Sequence, residues 1–236
     1  MYKLLYQNRI LILLGILTTV FIIYKMTIKK EKKEYSSDSS ELSTITIENN
    51  SNNSKNTKNT SSILPDPRKR IKNIHNDIRY LQHLTNNRND EQIRLITKYN
   101  QEPEDYFMEL CKEKKIEFDK DKVTNLVDYL EKLSKSIKNK YKIPRPYILA
   151  KKLDVNIDNL ARPSSFSYPS GKVLKSKILS HYFSYVDPRY DYEFQQITKD
   201  IELACLYSGI NTPFDIRGSL LLAQKIMEKK VLKKFI

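Results

Sequence analysis

One apolar stripe constrains the fold of this chain more than any other feature. Hydrophobic side chains recur at steps of three and four residues at Val123, Leu126, Val127, Leu130, Leu133 and Ile137. This spacing places them on one face of an amphipathic α-helix. A second stripe of this kind lies beyond Pro65 and comprises Ile71, Ile74, Ile78, Leu81 and Leu84. Because the period-two alternation of half-buried strands is not sustained anywhere in the sequence, the pattern predicts an all-α helical bundle.

Shorter apolar patterns predict the remaining helices. We expect them at residues 91–99, 103–114, 170–185, 188–207 and 213–230. The helix that carries the first stripe is expected to end at Lys138.

The N-terminal region contains a candidate membrane anchor. Ile10 to Tyr24 form an uncharged, mostly aliphatic run between Arg9 and Lys25, and the apolar residues just beyond extend it toward the ~20 residues of a transmembrane helix. A cleaved signal peptide would need a small-residue cleavage site, and the first alanine of the chain is Ala150. We therefore predict a signal anchor with basic flanks over residues 1–33. Basic residues are more numerous after the run than before it, which predicts a single-pass protein with a cytoplasmic C-terminal domain.

The next segment differs in composition. Residues 34–64 are rich in Ser, Asn and Thr and carry few large apolar side chains, so they cannot offset the entropy of ordering. We predict a disordered linker here and an all-α domain at 65–236, which is long enough to bury a core. Asn49, Asn52 and Asn59 begin Asn-x-Ser/Thr triplets, which chance readily produces in so Asn-rich a tract.

Charge and reactive side chains give weaker signals. The net charge of +14 suggests an anionic membrane surface or nucleic acid as a partner. Lysine is abundant here together with Asn and Ile, so part of this charge follows from the general composition of the chain. The two cysteines do not make a disulfide framework by number. His75, His83 and His181 have no Cys or carboxylate cluster at metal-ligand spacing, so we expect structural or surface roles for them, and neither a metal nor a cofactor.

Three short segments carry the candidate chemistry. The first runs from Lys138 to Pro146, the second from Tyr168 to Lys172, and the third from Ala204 to Asp215. The second lies between a loop rich in Pro and Ser and a predicted helix. The backbone N–H groups that follow Pro169 should therefore point out of a helix N-terminus, which is favourable for binding an anion.

These segments resemble the three signatures of the superfamily that contains type 2 phosphatidic acid phosphatases, class A acid phosphatases and vanadium haloperoxidases. Lys138 with Arg145-Pro146 fits the first signature, which is Lys, six residues, Arg-Pro. Residues 169–171 fit the Pro-Ser-Gly of the second, Pro-Ser-Gly-His, but Lys172 stands in place of the histidine. The resemblance covers roughly Lys138 to the C-terminus and implies the helical bundle of that superfamily.

The third signature is the most altered. It reads Ser-Arg, five residues, His, three residues, Asp. Asp215 matches it, but Asn211 stands at the histidine and Ala204-Cys205 stand at Ser-Arg. In the family that histidine attacks phosphorus, the Asp orients it, and the second-signature histidine protonates the leaving oxygen. The amide of Asn211 has no lone pair that can act as a nucleophile, and Lys172 would be a general acid at neutral pH only if strongly desolvated or beside other cations.

The resemblance therefore implies degenerate catalytic positions beside retained binding positions. The degenerate catalytic positions are Lys172, Asn211 and Asp215. The phosphate- or anion-binding positions are Lys138, Arg145, Ser170, Gly171 and Lys172.

Each segment also has an ordinary structural interpretation. Lys138 lies in a lysine run of the kind that forms solvated surfaces, and Arg145-Pro146 fits a helix end. Ser170 fits a helix cap. Residues 212–215 fit a capping box with Pro213 at the first helical position. The order and separation of all three segments together favour the family resemblance.

Three functions are compatible with these patterns. The leading hypothesis is a membrane-anchored, acid-phosphatase-like protein that is catalytically inactive and keeps a pocket for phosphate, a phospholipid or another anion. The second is an active phosphatase for lipids or small phosphomonoesters that uses rearranged residues. The third is a basic tethered module that binds anionic lipid or nucleic acid through diffuse charge, although nucleic acid is not the partner we expect. The sequence identifies neither a protein partner nor an oligomeric state.

Overall fold

The structure, a computed structural model, describes Leu64, Asp66, Pro67, residues 74–228, Leu232 and Phe235. The predicted signal anchor and nearly all of the predicted linker lie outside the described residues, so both stay predictions. No described helix combines the length and the apolar character that a membrane span requires.

All regular elements among the described residues are helical, which confirms the all-α prediction for this part of the chain. A 3₁₀ turn at Pro188–Tyr190 precedes the seventh α-helix. In chain order the α-helices are α1 (Ile74–Asn86), α2 (Asp90–Lys98), α3 (Pro103–Lys114), α4 (Lys120–Tyr141), α5 (Pro146–Lys152), α6 (Gly171–Val186), α7 (Asp191–Tyr207) and α8 (Pro213–Glu228). The sequence did not predict α5, and it placed the end of α4 three residues too early, at Lys138 rather than Tyr141.

Local signals explain where α4 and α5 begin and end. The Asp119 side chain accepts a hydrogen bond from the backbone N–H of Lys122 and so caps the start of α4. The helix ends at Tyr141, and Lys142, which follows it, has a left-handed φ of 53°. Pro146 then occupies the first turn of α5, where its missing N–H has no cost. These boundaries leave Lys138 in the last turn of α4 and Arg145 immediately before α5.

α6 lies at the centre of the bundle and contacts α3, α4, α7 and α8. Its buried residues lie on nearly every side, as expected for a helix surrounded by others: Val173, Leu174, Lys175, Ser176, Ile178, Leu179, Ser180, Tyr182 and Phe183. The N-terminus of α6 at Gly171 is consequently inside the domain.

Tyr168 fixes the approach to that N-terminus. Its ring is fully buried and stacks on Phe214 of α8, with ring centroids 5.0 Å apart. Gly218 of α8 also lies against this ring, since a Cβ added there would be only 2.2 Å from Tyr168 Cε2. The segment that leads into α6 is thereby packed against the start of α8.

Candidate anion-binding site

The three candidate segments meet at the N-terminus of α6. A Cβ added at Gly171 would lie 3.2 Å from Ser134 Oγ and 4.0 Å from Lys138 Cε, so the second segment touches α4. The backbone N–H of Ser170 donates to the carbonyl of Asp215 at 3.3 Å, which joins the second segment to the third. The structure therefore brings Lys138, Ser170, Gly171 and Asp215 into one neighbourhood.

Lys138 is a buried cation without a carboxylate partner. Only 9% of the residue is exposed, and Nζ donates to the carbonyl of Phe166 at 2.5 Å. It forms no ion pair with any carboxylate in the described part of the chain. Burial, and then the nearby Arg145 guanidinium, lower the pKa of Lys138 to about 8, while Asp215 opposes the shift.

Arg145 has the same character. The residue is 6% exposed, and its guanidinium donates to main-chain and hydroxyl oxygens rather than to a carboxylate. Nε donates to the carbonyl of Ser165 at 2.7 Å, Nη2 to Ser165 Oγ at 2.8 Å, and Nη1 to the carbonyl of Ile210 at 2.9 Å. Burial lowers the pKa of Arg145, with Asp215 opposing. Lys138 and Arg145 thus both donate hydrogen bonds to the short segment 165–166.

Two other cations with buried side chains provide an internal comparison. Lys175 lies within 2.6 Å of Glu102, 3.0 Å of Glu131 and 3.4 Å of Glu104. Burial acts against its charge, but the hydrogen bonds to these carboxylates outweigh burial and raise the pKa of Lys175. Arg88 pairs with Asp158. Among the described residues, Lys175 and Arg88 form ion pairs with carboxylates, and Lys138 and Arg145 do not.

Polar groups at the start of α6 are also left available. The first N–H groups of a helix have no intrahelical partner, and the Ser170 side chain does not cap them. Ser134 Oγ is buried and has no hydrogen-bond partner among the described residues. Ser170 Oγ, also buried, lacks an oxygen or nitrogen partner there. Backbone and hydroxyl donors therefore collect beside Lys138.

The third segment forms the capping box that the sequence also allowed. Asp215 is buried, and its Oδ2 accepts from the Thr212 backbone N–H at 2.8 Å and from Ser167 Oγ at 2.5 Å. The Asp215 N–H donates back to Thr212 Oγ1 at 3.2 Å. Asn211 is buried too, and its amide donates to the Ser167 carbonyl at 3.2 Å and to Asp215 Oδ2 at 3.5 Å. Burial raises the pKa of Asp215, although these hydrogen bonds act against the shift.

The Lys172 side chain does not bond the carbonyls that Lys138 and Arg145 bond. Its Nζ donates to the carbonyls of Tyr99 and Asn100 at 3.1 and 3.0 Å, just beyond the C-terminal end of α2. A cation at that end of a helix is favourable for the macrodipole. The structure therefore gives Lys172 a structural partner on another element.

The described residues bring no strong nucleophile to this site. Cys205 is buried, and burial raises the pKa of its thiol to about 11, although Lys172 acts in the other direction. The thiol is therefore protonated at neutral pH. All three histidines lie exposed at the surface.

Sequence reasoning missed the oxygen atoms that hold the two cations. The carbonyls of Ser165, Phe166 and Ile210 are main-chain groups, and no residue pattern identifies them. Ser134 did have a signal, since it lies four residues before Lys138 on the same helix and such residues share a face.

Comparison with known proteins gives only low-level structural similarity. Neither a protein-family model nor a curated protein sequence matches this chain. One solved structure that resembles it is described as the first transmembrane PAP2 type phosphatidylglycerolphosphate phosphatase from Bacillus subtilis. The two share 16% sequence identity with a TM-score of 0.47, and the similarity covers 68% of this chain and 86% of the other. Membership of a phosphatase family accordingly stays a prediction from the three segments.

Proposed function

We propose that this chain is a membrane-anchored, acid-phosphatase-like protein that binds phosphate or a related oxyanion at the N-terminus of α6 and does not hydrolyse it. The observation that carries the proposal is the pair of buried cations, Lys138 and Arg145, neither of which forms an ion pair with a carboxylate of the described residues. The buried Asp215 acts on the charge of both but pairs with neither. Buried charges are costly unless they are paired. An oxyanion with two negative charges would supply both missing partners.

The donors around Lys138 suit tetrahedral oxyanion chemistry. A phosphate presents several oxygens, and the site offers an ammonium, a guanidinium, two buried hydroxyls and the N–H groups of a helix start. Lys and Arg carry three and five N–H donors respectively, so the hydrogen bonds to Ser165, Phe166 and Ile210 do not exhaust them. A ligand can therefore be held by the remaining donors, or by displacing the 165–166 carbonyls.

The absence of hydrolysis rests on the groups that face the site. Transfer of a phosphoryl group to the protein needs a lone pair that can attack phosphorus. The Asn211 amide is delocalised and is used as a hydrogen-bond donor to Ser167 and Asp215. Cys205 is a protonated thiol at neutral pH. The site can bind an anion, but it has no group that is ready to attack one.

The anchoring part of the proposal comes from residues 1–33, which lie outside the described residues. Their apolar run with basic flanks supports a single-pass arrangement with the helical domain in the cytoplasm.

We expect the full-length chain to release no nitrophenol from para-nitrophenyl phosphate, while inorganic phosphate raises its melting temperature by several degrees. Phosphate at a hundred times its dissociation constant stabilises the folded state by about 2.7 kcal/mol, and a domain of this size gains roughly 2–4 °C per kcal/mol. Activity and thermal unfolding are measured on the same preparation.

Two outcomes would favour the other hypotheses. Phosphate release that disappears in Lys138→Ala or Arg145→Ala would show a working phosphatase. Anion binding that survives both changes and falls steeply with salt would show a diffuse basic surface instead.

A further inference from the structure

A surface separate from the α6 site combines exposed aliphatic and basic side chains. Ile148 on α5 is 41% exposed and Leu160, in the segment after α5, is 48% exposed. Lys151, Lys152 and Arg162 are exposed beside them in sequence. We call Ile148, Lys151, Lys152, Leu160 and Arg162 the α5 face.

The two parts of the α5 face belong to one surface. Tyr147 and Lys151 from α5, with Asn159 and Arg162 from the following segment, line the same open cleft of about 480 Å³. The Tyr147 hydroxyl donates to the Pro163 carbonyl at 3.4 Å, and the Arg162 guanidinium lies 5.9 Å from the centre of the Tyr147 ring. Ile148 and Leu160 each directly follow in sequence a residue that lines this cleft, Tyr147 on α5 and Asn159 on the next segment.

The exposure of the apolar side chains is built into the fold. The opposite side of α5, with Ala150 buried and Leu149 and Leu153 packed beside it, lies against Ile78 and Leu81 of α1, which leaves Ile148 outward. A hydrogen bond holds the segment that carries Leu160, because the Leu160 backbone N–H donates to the Ser208 carbonyl at 3.0 Å. A preorganised apolar side chain on the surface marks an interaction site more strongly than one on a loose loop.

The charge on this face is mainly positive. Three cations, Lys151, Lys152 and Arg162, are exposed there. The carboxylates within residues 146–162 are Asp154, which lines the cleft, and Asp158, which is neutralised by Arg88. The α5 face therefore presents excess positive charge around two aliphatic side chains.

We propose that the α5 face docks on a lipid surface that carries anionic headgroups. Lysine and arginine side chains are attracted to the negative potential of such a surface, and aliphatic side chains gain by entering the boundary between headgroups and acyl chains. A nucleic acid would satisfy the charges but would leave Ile148 and Leu160 in water. Of these two partners, lipid is the one that uses both features.

The chain contains no tryptophan, which makes a direct test available. Ile148→Trp and Leu160→Trp each place a single tryptophan on the α5 face of the full-length chain. Tyr192→Trp is the matched control, since Tyr192 is 75% exposed at the start of α7 and Ser208 follows the far end of that helix, roughly 24 Å away. Each variant is mixed with phosphatidylcholine vesicles, with or without phosphatidylglycerol.

We expect a blue shift of tryptophan emission at positions 148 and 160 with the anionic vesicles and none at position 192. High salt should reverse the shift, and Lys151→Gln with Lys152→Gln in the Ile148→Trp background should abolish it. Equal emission in both kinds of vesicle, or an equal shift at position 192, would overturn the proposal. So would a shift produced by duplex DNA and not by the anionic vesicles.

Discussion

Replacing Gly218 by alanine is expected to destabilise the helical domain by about 3 kcal/mol, the upper end of ordinary overpacking effects. The new Cβ would lie 2.2 Å from Tyr168 Cε2 and 2.7 Å from Cζ. The Tyr168 ring cannot withdraw easily, because it is fully buried and stacked on Phe214. At an exposed position inside a helix, replacing glycine by alanine stabilises the fold by about 1 kcal/mol. A destabilising effect at Gly218 would therefore show that its new Cβ meets the Tyr168 ring.

A double-mutant cycle separates this contact from general damage. Tyr168→Ala alone should cost roughly 3–5 kcal/mol, because it empties a buried aromatic site. In that background Gly218→Ala no longer meets the ring atoms, and its cost should disappear or change sign. The free energies come from urea unfolding of the four proteins. A stabilising effect of Gly218→Ala in the wild-type background would show that Tyr168 does not lie where the structure places it.

Replacing Lys138 by methionine is expected to stabilise the ligand-free domain by roughly 2 kcal/mol near neutral pH. The pKa of Lys138 falls from 10.5 to about 8 on folding, so its charged form is disfavoured in the folded state. At about 1.4 kcal/mol per unit this costs about 3 kcal/mol below pH 8, partly offset by the hydrogen bond to Phe166 that methionine would lose. The cost fades as pH rises from about 8 to 10.5 and is absent above that, where the variant loses its advantage.

Two matched lysines control this result. Lys135→Met changes an exposed lysine on the same helix and should alter stability by less than about 0.5 kcal/mol. Lys175→Met removes a buried lysine that has three carboxylates around it, so it should destabilise the domain. Unfolding free energies are compared at neutral and at alkaline pH. A destabilising Lys138→Met at neutral pH would make Lys138 an ordinary structural residue rather than a strained binding group.

A stability cost at Lys138 is consistent with a binding role. Functional sites commonly retain groups that a more stable protein would replace. The same residue that weakens the ligand-free domain should strengthen it once phosphate supplies the missing charge.

The sequence predicted the helices with strong periodicity and missed the shorter one. The stripe from Val123 to Ile137 defined α4, and the capping residues near Pro213 defined the start of α8. α5 has only seven residues and directly follows an X-Pro step, so it offers too little pattern to detect.

The candidate site was predictable in its cations and not in their partners. The resemblance of Lys138 and Arg145-Pro146 to the first family signature implied that both could bind an anion, and the structure places both in one neighbourhood. Their present partners are carbonyls of residues 165, 166 and 210, which depend on the path of the backbone. Lys172 was expected in the site, but its long side chain reaches Tyr99 and Asn100 instead. Spacing along the chain does not fix where such a side chain points.

Calorimetric titration of inorganic phosphate into the full-length chain, Lys135→Met and Lys138→Met near neutral pH tests the central claim most directly. A charge-assisted hydrogen bond is worth about 1.5–3 kcal/mol, so the account predicts binding that Lys135→Met preserves and that Lys138→Met weakens by at least roughly tenfold. Phosphate binding of equal strength in all three proteins, or no binding to the unaltered chain, would contradict it.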